Sequence, residues 1–409
     1  MPLPPETESH QSTRLSRRRL FGYTAAGVGG ALAGAGAVSA ATALGGEPPA
    51  DAVGRRTVAF HGAHQAGVTT PAQARAVFVG FGLRQGIDAA AVGRLMRLWT
   101  QDAAALTAGR AATADPAPAL AERPAGLTVT FGFGPGLFTA IGRPEAVPAG
   151  FVPAPEFTID RLDARWTGGD LLVQVCADDS LAVAHAVRVL VVGARPFASV
   201  RWQQSGFLPH AGVAPGATPR NLMGQVDGTA NPAPENGLDE VVWSADGWLA
   251  GGTTMILRRI RMDLDTWDRV APESQERAIG RRLSDGAPLS GGAERDTPDY
   301  AVRDHHGKLV IPADAHVRRA SEQANGPGSG RILRRGYSYD DGVDATGQAD
   351  CGLLFAAYQA RFDSQFLPIQ RRLAELDALN AWTTPIGSAV FAIPPGCQEG
   401  GWIGQGLLG

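Results

Sequence analysis

The sequence predicts an α+β protein built from two ferredoxin-like domains with antiparallel sheets. Three observations lead there. The chain has 409 residues, 44% hydrophobic and 19% charged, which is enough to bury the cores of two ordinary domains. The segments after residue 75 run strand, helix, strand, strand, helix, the order of a ferredoxin-like unit. A second α+β half follows a Gly/Pro-rich connector, His210 to Arg220, with the same logic. The boundaries read as a targeting segment over 1–45, a linker over 46–54, an N-terminal domain over 55–215 and a C-terminal domain over 216–409.

Ser16-Arg17-Arg18-Arg19-Leu20-Phe21 precedes an Ala/Gly-rich stretch that carries no charge until Glu47. A basic start, an apolar middle and small residues at Val38-Ser39-Ala40 and Ala41-Thr42-Ala43 make a cleavable signal. The paired arginines resemble a twin-arginine export signal, a route for proteins already folded around a cofactor. That implies the twin-arginine machinery as a partner and a periplasmic or extracellular/cell-wall location. The segment is too rich in Gly and Ala for a stable membrane span. Glu47 to Gly54 reads as a flexible linker.

Ala76–Leu83, Leu127–Phe133 and Leu171–Cys176 mix β-branched and aromatic residues or alternate, as strands do. Asp88–Ala108 and Ser180–Val192 carry helical spacing, with Asp88 and Ser180 as N-caps. In the second half Thr253–Asp263, Gly352–Tyr358 and Ser388–Ile393 read as strands, and Pro272–Arg282 and Asp363–Ala378 as helices, the first with proline in its permitted first turn. Ser284–Gly307 and Ala324–Gly330 read as loops.

A net charge of -3 gives no general attraction to nucleic acid or anionic lipid. Cys176, Cys351 and Cys397 form no CxxC pair, so no zinc site is indicated, and one disulfide stays open. His61 and His64 lack a third ligand nearby, and His305-His306 sit in a polar loop.

Three segments carry chemistry. The first is Asn221-Leu-Met-Gly224-Gln-Val-Asp227-Gly228-Thr229-Ala230-Asn231-Pro232, in which a carboxylate stands between glycines. The second is Asp314-Ala-His316-Val-Arg318-Arg319-Ala320. The third is Arg331-Ile-Leu-Arg334-Arg335-Gly336-Tyr337-Ser-Tyr339. Together they resemble the dye-decolorizing peroxidases, whose GxxDG signature the first segment matches, in the exported branch that includes iron-linked deferrochelatase-like members. His61 to Pro71, Trp267-Asp268-Arg269, Gly280-Arg281, Gly286 to Leu289, Pro298 to Tyr300, Gly347 to Phe355 and Pro385 to Gly387 extend the resemblance over nearly everything after the signal. Several ordered matches are more specific than one motif.

The resemblance implies a dimeric α+β barrel-like arrangement with haem b (iron protoporphyrin IX) held mainly by the C-terminal domain. It implies His316 as the axial iron ligand, leaving the other face open. Asp227 and Arg334 are implied as catalytic residues, with Arg335 the alternative arginine, and Gly228, Thr229, Ala230 and Arg334 as haem contacts. Asp377 is the candidate partner for the second imidazole nitrogen. The implied activity is oxidation of bulky donors such as dyes and phenolics by hydrogen peroxide; the alternative is release or delivery of iron from haem. A homo-oligomer is compatible with either.

Heterolysis of the peroxide O–O bond moves a proton from inner to outer oxygen, which a carboxylate can do, while a guanidinium stabilises the departing charge. An ordinary Asp, with a pKa of about 3.9, works best in acid. After His316 the chain has Ser321-Glu322-Gln323 where the family often carries Asn-Pro-Arg, so Arg281 or Arg319 is the substitute expected for binding propionate. Tyr337, Tyr339, Trp382 and Trp402 are candidate electron relays or simply packed aromatics.

Overall fold

The computed structural model describes residues 50–328 and 330–409. The signal lies outside the described residues. Of the linker, Ala50–Arg55 forms a short helix, α1. It is no free tether: the Gly54 carbonyl accepts the Ala125 amide at 3.0 Å, and Arg56 ion-pairs with Asp178.

Four strands of the first half, β1 (Arg75–Leu83), β2 (Thr128–Phe133), β3 (Leu171–Ala177) and β4 (Ala198–Phe207), lie in the order β2-β3-β1-β4. In the second half β5 (Thr253–Met262), β7 (Tyr337–Val343), β8 (Ala349–Gln359) and β9 (Thr383–Ile393) lie in the order β9-β5-β8-β7, with the two-residue β6 (Leu333–Arg334) added to β8. Both are the antiparallel ferredoxin-like order. The halves join where Phe133 pairs with Ala392 and Phe207 with Ser338, which closes eight strands into a barrel without a free edge.

Alternation along each strand sets its two faces. On β1, Val77, Val79 and Phe81 point to the outer core, where Trp99 stacks on Phe131 at 5.3 Å. Ala76 and Phe78 point inward with Trp202, Tyr337, Tyr339, Tyr358 and Phe391. A slip of one residue would exchange the two cores, so the register is strongly specified.

The outer core is covered by α2 (Ala89–Thr107) and α3 (Ser180–Ala194). Asp88 caps α2, accepting the Ala91 amide at 2.8 Å. The cap of α3 is Asp179, one residue before the predicted Ser180, because its carboxylate reaches the Ala182 amide at 2.9 Å. Strand β4 is absent from the sequence reading: several of its residues are exposed polar ones, and only alternate positions such as Trp202 and Gln204 are buried.

In the second half α4 (Pro272–Ile279) stops short of the predicted Arg282. Gly280, at φ +93°, turns the chain left-handed there, a conformation that would strain any other residue. From there to α5 (His316–Ala320) the chain runs without helix or strand, tied by bridges between Arg281 and Pro288 and between Arg303 and Leu309. The helix expected over 363–378 begins as a π-helical turn, Phe362–Phe366, before α6 (Leu367–Leu376). Met223, Met262, Trp267, Ala278, Ile279 and Leu379 form a third apolar cluster that supports these loops.

Candidate active site

Arg334 is held by its backbone. In β6 it pairs with Ala357 of β8. On its other side the Asn231 side chain donates to its carbonyl at 2.7 Å and accepts its amide at 3.0 Å, as a neighbouring strand would. The Arg334 Nη1 then donates to Asp227 Oδ1 at 2.7 Å, both side chains about a quarter exposed. Arg335, the next residue along, points to the barrel interior, where it donates to the Thr70 carbonyl and to Gln73. Alternation thus separates the two arginines: Arg334 meets Asp227 and Arg335 does not.

Asp227 ends a tight hairpin. Arg220 and Val226 bridge, and Arg220 also donates to the carbonyls of Gly224, Leu283 and Ser284. Asn221 Oδ1 accepts the amides of Met223 and Gln225, and the Trp267 indole donates to the Met223 carbonyl at 3.1 Å. Gly228, at φ +129°, lets the chain leave Asp227 in a direction closed to residues with a side chain. Thr229 donates to Glu294 at 3.0 Å.

His316 opens α5 with its Nδ1 at 2.7 Å from Asp377 Oδ2. The other Asp377 oxygen accepts the Leu379 amide at 3.0 Å, and the Ala378 amide reaches the Asp314 carbonyl, so the acid is fixed from both directions. Burial of the imidazole works to lower its pKa. The charge and hydrogen bond of Asp377 outweigh that and leave it raised. Arg334 and Asp227 act on the same ring in opposite senses, so both lie within electrostatic reach of it. With Nδ1–H donated to Asp377, Nε2 carries the free lone pair.

A cavity of about 580 Å³ adjoins Asp227, Gly228, Asn231 and Arg334, and Thr69 and Pro71 from the first half also line it. Arg281 donates to the carbonyls of Gly286 and Glu294, with its pKa lowered first by burial and further by Arg334. Arg319 turns away to the Arg372 carbonyl and Glu375. Ser321 caps the turn that follows, and Glu322 accepts the Gly328 amide.

Other predicted candidates lie elsewhere. Tyr337 and Tyr339 are fully buried, the latter under the Arg259 guanidinium at 3.8 Å. Trp382 meets Trp267 edge to face at 5.1 Å, and Arg97 covers Trp402. His64 stacks on Trp243, and His61 Nδ1 lies 3.6 Å from Cys397. All three cysteines are free. Asn231 and Glu294 were given no role from the sequence. Asn231 stood inside the first motif, whereas Glu294 lay in a polar loop that gave no signal.

A closed α+β barrel thus carries one imidazole whose Nδ1 is tied to a buried acid, and a carboxylate–guanidinium pair that lines a cavity. Family models described as Dyp-type peroxidase, N-terminal and C-terminal, match residues 65–208 and 218–398. The chain is 43% identical over 324 residues to a dye-decolorizing peroxidase of Thermobifida fusca, covering 76% of this chain and 75% of that one. It is 39% identical over 370 residues to a deferrochelatase of Escherichia coli K12, covering 85% and 86%. A DyP-type peroxidase crystal structure from Cellulomonas bogoriensis superposes with a TM-score of 0.84 at 49% identity, over 87% of this chain and 99% of that one. The chain belongs to the DyP-type peroxidase family.

Proposed function

We propose that this protein is an exported haem b peroxidase in which His316 Nε2 holds the iron on one side and Asp227 and Arg334 handle hydrogen peroxide on the other. The observation that carries the reading is a pair of couples within one half of the chain: His316 with its Nδ1 tied to Asp377, and Arg334 bonded to Asp227 beside a cavity. The residues fit the group. Nδ1 is engaged by Asp377, so Nε2 is the nitrogen a metal would take, and an acidic partner on Nδ1 strengthens that donation. One imidazole offers a single protein ligand, which suits a metal that brings its own nitrogen ligands. Gly228, Thr229, Ala230 and Arg334 would contact the porphyrin. All these residues fall within 216–409, the half we read as the haem-holding domain.

Bound haem supplies the Lewis acid and the reservoir of oxidising equivalents. The protein does the rest. Asp227 takes the proton from the inner oxygen of hydrogen peroxide and returns it to the outer oxygen, which leaves as water. Arg334 keeps the Asp227 carboxylate aimed through the 2.7 Å bond and offers fixed positive charge to the departing oxygen. Bulky aromatic donors such as dyes and phenolics would then be oxidised. A second reading, iron release from haem, has its support in the likeness to the deferrochelatase. One experiment tests both: purified protein is reconstituted with haem, given one equivalent of peroxide, then a dye. Dye turnover with the haem intact supports the peroxidase; metal-free protoporphyrin without turnover supports iron release and overturns it.

Export by the twin-arginine route is supported by Ser16-Arg17-Arg18-Arg19-Leu20-Phe21 and the uncharged stretch behind it. No helix of the described residues is long and apolar enough to cross a membrane. Replacing Arg17 and Arg18 by lysine should keep the protein inside the cell, and continued export of that variant would remove this part of the reading.

A further inference from the structure

Asp227 is aimed by Arg334, but its backbone needs its own anchor, because the hairpin from Arg220 to Val226 that leads into it belongs to no helix or strand. Thr218 stands before this hairpin and Thr229 just after Asp227. Their hydroxyls both donate to one oxygen of Glu294, at 2.6 and 3.0 Å. Glu294 comes from the loop between α4 and α5, far from either threonine in sequence. Its own backbone is fixed, since Arg281 Nη1 donates to the Glu294 carbonyl at 2.7 Å and to the Gly286 carbonyl at 2.8 Å. Between the two threonines the Asp227 amide reaches back to the Pro219 carbonyl at 2.9 Å.

We infer that Glu294 is a positioning residue: it clasps the two ends of the Asp227 hairpin and thereby sets where the carboxylate stands relative to Arg334. The inference rests on the proposed role of Asp227 in peroxide cleavage. It assigns work to a loop that otherwise reads as surface decoration. The Thr218 hydroxyl bond pulls the Glu294 carboxyl below its usual range; burial opposes it, and Thr229 adds to the lowering. The clasp is therefore a charge-assisted one, stronger than a neutral pair. Both hydroxyls go to the same oxygen, so an amide carbonyl at that point should keep the clasp in place with weaker bonds.

The experiment compares Glu294→Ala, Glu294→Gln and the milder Thr229→Val, each reconstituted with haem. Misplacing a catalytic group by about an ångström costs on the order of a hundredfold. Glu294→Ala should thus slow the reaction with peroxide about ten- to a hundredfold while leaving the apparent KM for a dye unchanged. Amide hydrogen exchange should quicken over 218–231, in the haem-free protein as well. Glu294→Gln should recover most of the rate and protection, and Thr229→Val should fall between. Parental rate and exchange in Glu294→Ala and Thr229→Val would overturn the inference, as would Glu294→Gln no better than Glu294→Ala. Asp227→Asn is measured alongside. If that variant reacts with peroxide as the parent does, the acid–base reading of Asp227 fails, and hydrogen exchange alone then decides the clasp.

Discussion

Asp377→Asn replaces one oxygen of a buried acid by nitrogen, and the structure says which one. Asp377 Oδ1 accepts the Leu379 amide at 3.0 Å, a cap that only an oxygen can make. The asparagine must therefore keep its carbonyl there and turn its NH2 toward His316, where Oδ2 stood 2.7 Å from Nδ1. An NH2 facing Nδ1 forces that nitrogen to accept and moves the imidazole proton to Nε2, the atom proposed to bind iron. Removing an outer partner of a metal ligand ordinarily costs about 10- to 100-fold in affinity. Here the wrong tautomer adds to the loss, so the expectation is the upper end, about 100-fold or roughly 2.7 kcal/mol. The measurement is a haem titration of apoprotein followed by its Soret band, with thermal unfolding as a control for the retained cap. Asp377→Glu, which keeps the charge, should bind haem better than Asp377→Asn. Haem affinity equal to the parent's in Asp377→Asn would refute both the tautomer argument and His316 as the ligand.

Arg334→Leu removes the guanidinium that meets Asp227 at 2.7 Å and should slow the peroxide reaction about 10²- to 10³-fold per bound haem, read by stopped-flow absorbance. Asn231→Ala strips two hydrogen bonds from the Arg334 backbone; urea unfolding should show a loss of about 1–3 kcal/mol, with slower peroxide turnover. A fourth prediction concerns Asp102, 5% exposed on α2. Burial raises its pKa above the usual value, the Thr113 amide opposes the rise and Asp115 adds to it. A carboxyl whose folded pKa is raised contributes its full stability below the unfolded value, about 3.9, and loses it as pH rises through the folded one. Asp102→Asn keeps an acceptor for Thr113 without the charge. Its melting temperature should match or trail the parent's near pH 3 and exceed it at pH 7, and a difference independent of pH would refute the assignment.

Strands such as β1, β2 and β3 were legible because both of their faces are buried, giving dense β-branched and aromatic runs, and α2 because Asp88 caps an apolar stripe. Strand β4 was not, since its exposed positions break the run; its pairing with β1 and the bridge at Phe207 make it a strand, and neither is a local property. The closure of the barrel was legible only through family resemblance, because no spacing within the chain announces that Phe133 will meet Ala392.

The proposed site divides the same way. Asp227, His316 and Arg334 lie in short motifs, but their mutual placement comes from contacts across the chain. Asn231 is paired to Arg334 through the backbone, Asp377 to His316 through a cap, and Glu294 to Thr218 and Thr229 through a loop without secondary structure. Side chains that do the chemistry must carry particular groups, so their types show in sequence. Side chains that hold them need only offer a donor or acceptor at one point in space, which Asn, Asp, Glu or Thr can each do. Glu294 therefore looked like any solvated acid. By the same reasoning Asp227→Glu, which keeps the group and moves it by one methylene, should lose more peroxide reactivity than Glu294→Gln, which keeps the acceptor in place. A stopped-flow comparison of the two at one pH gives the order, and the reverse order would show that Glu294 acts by its charge.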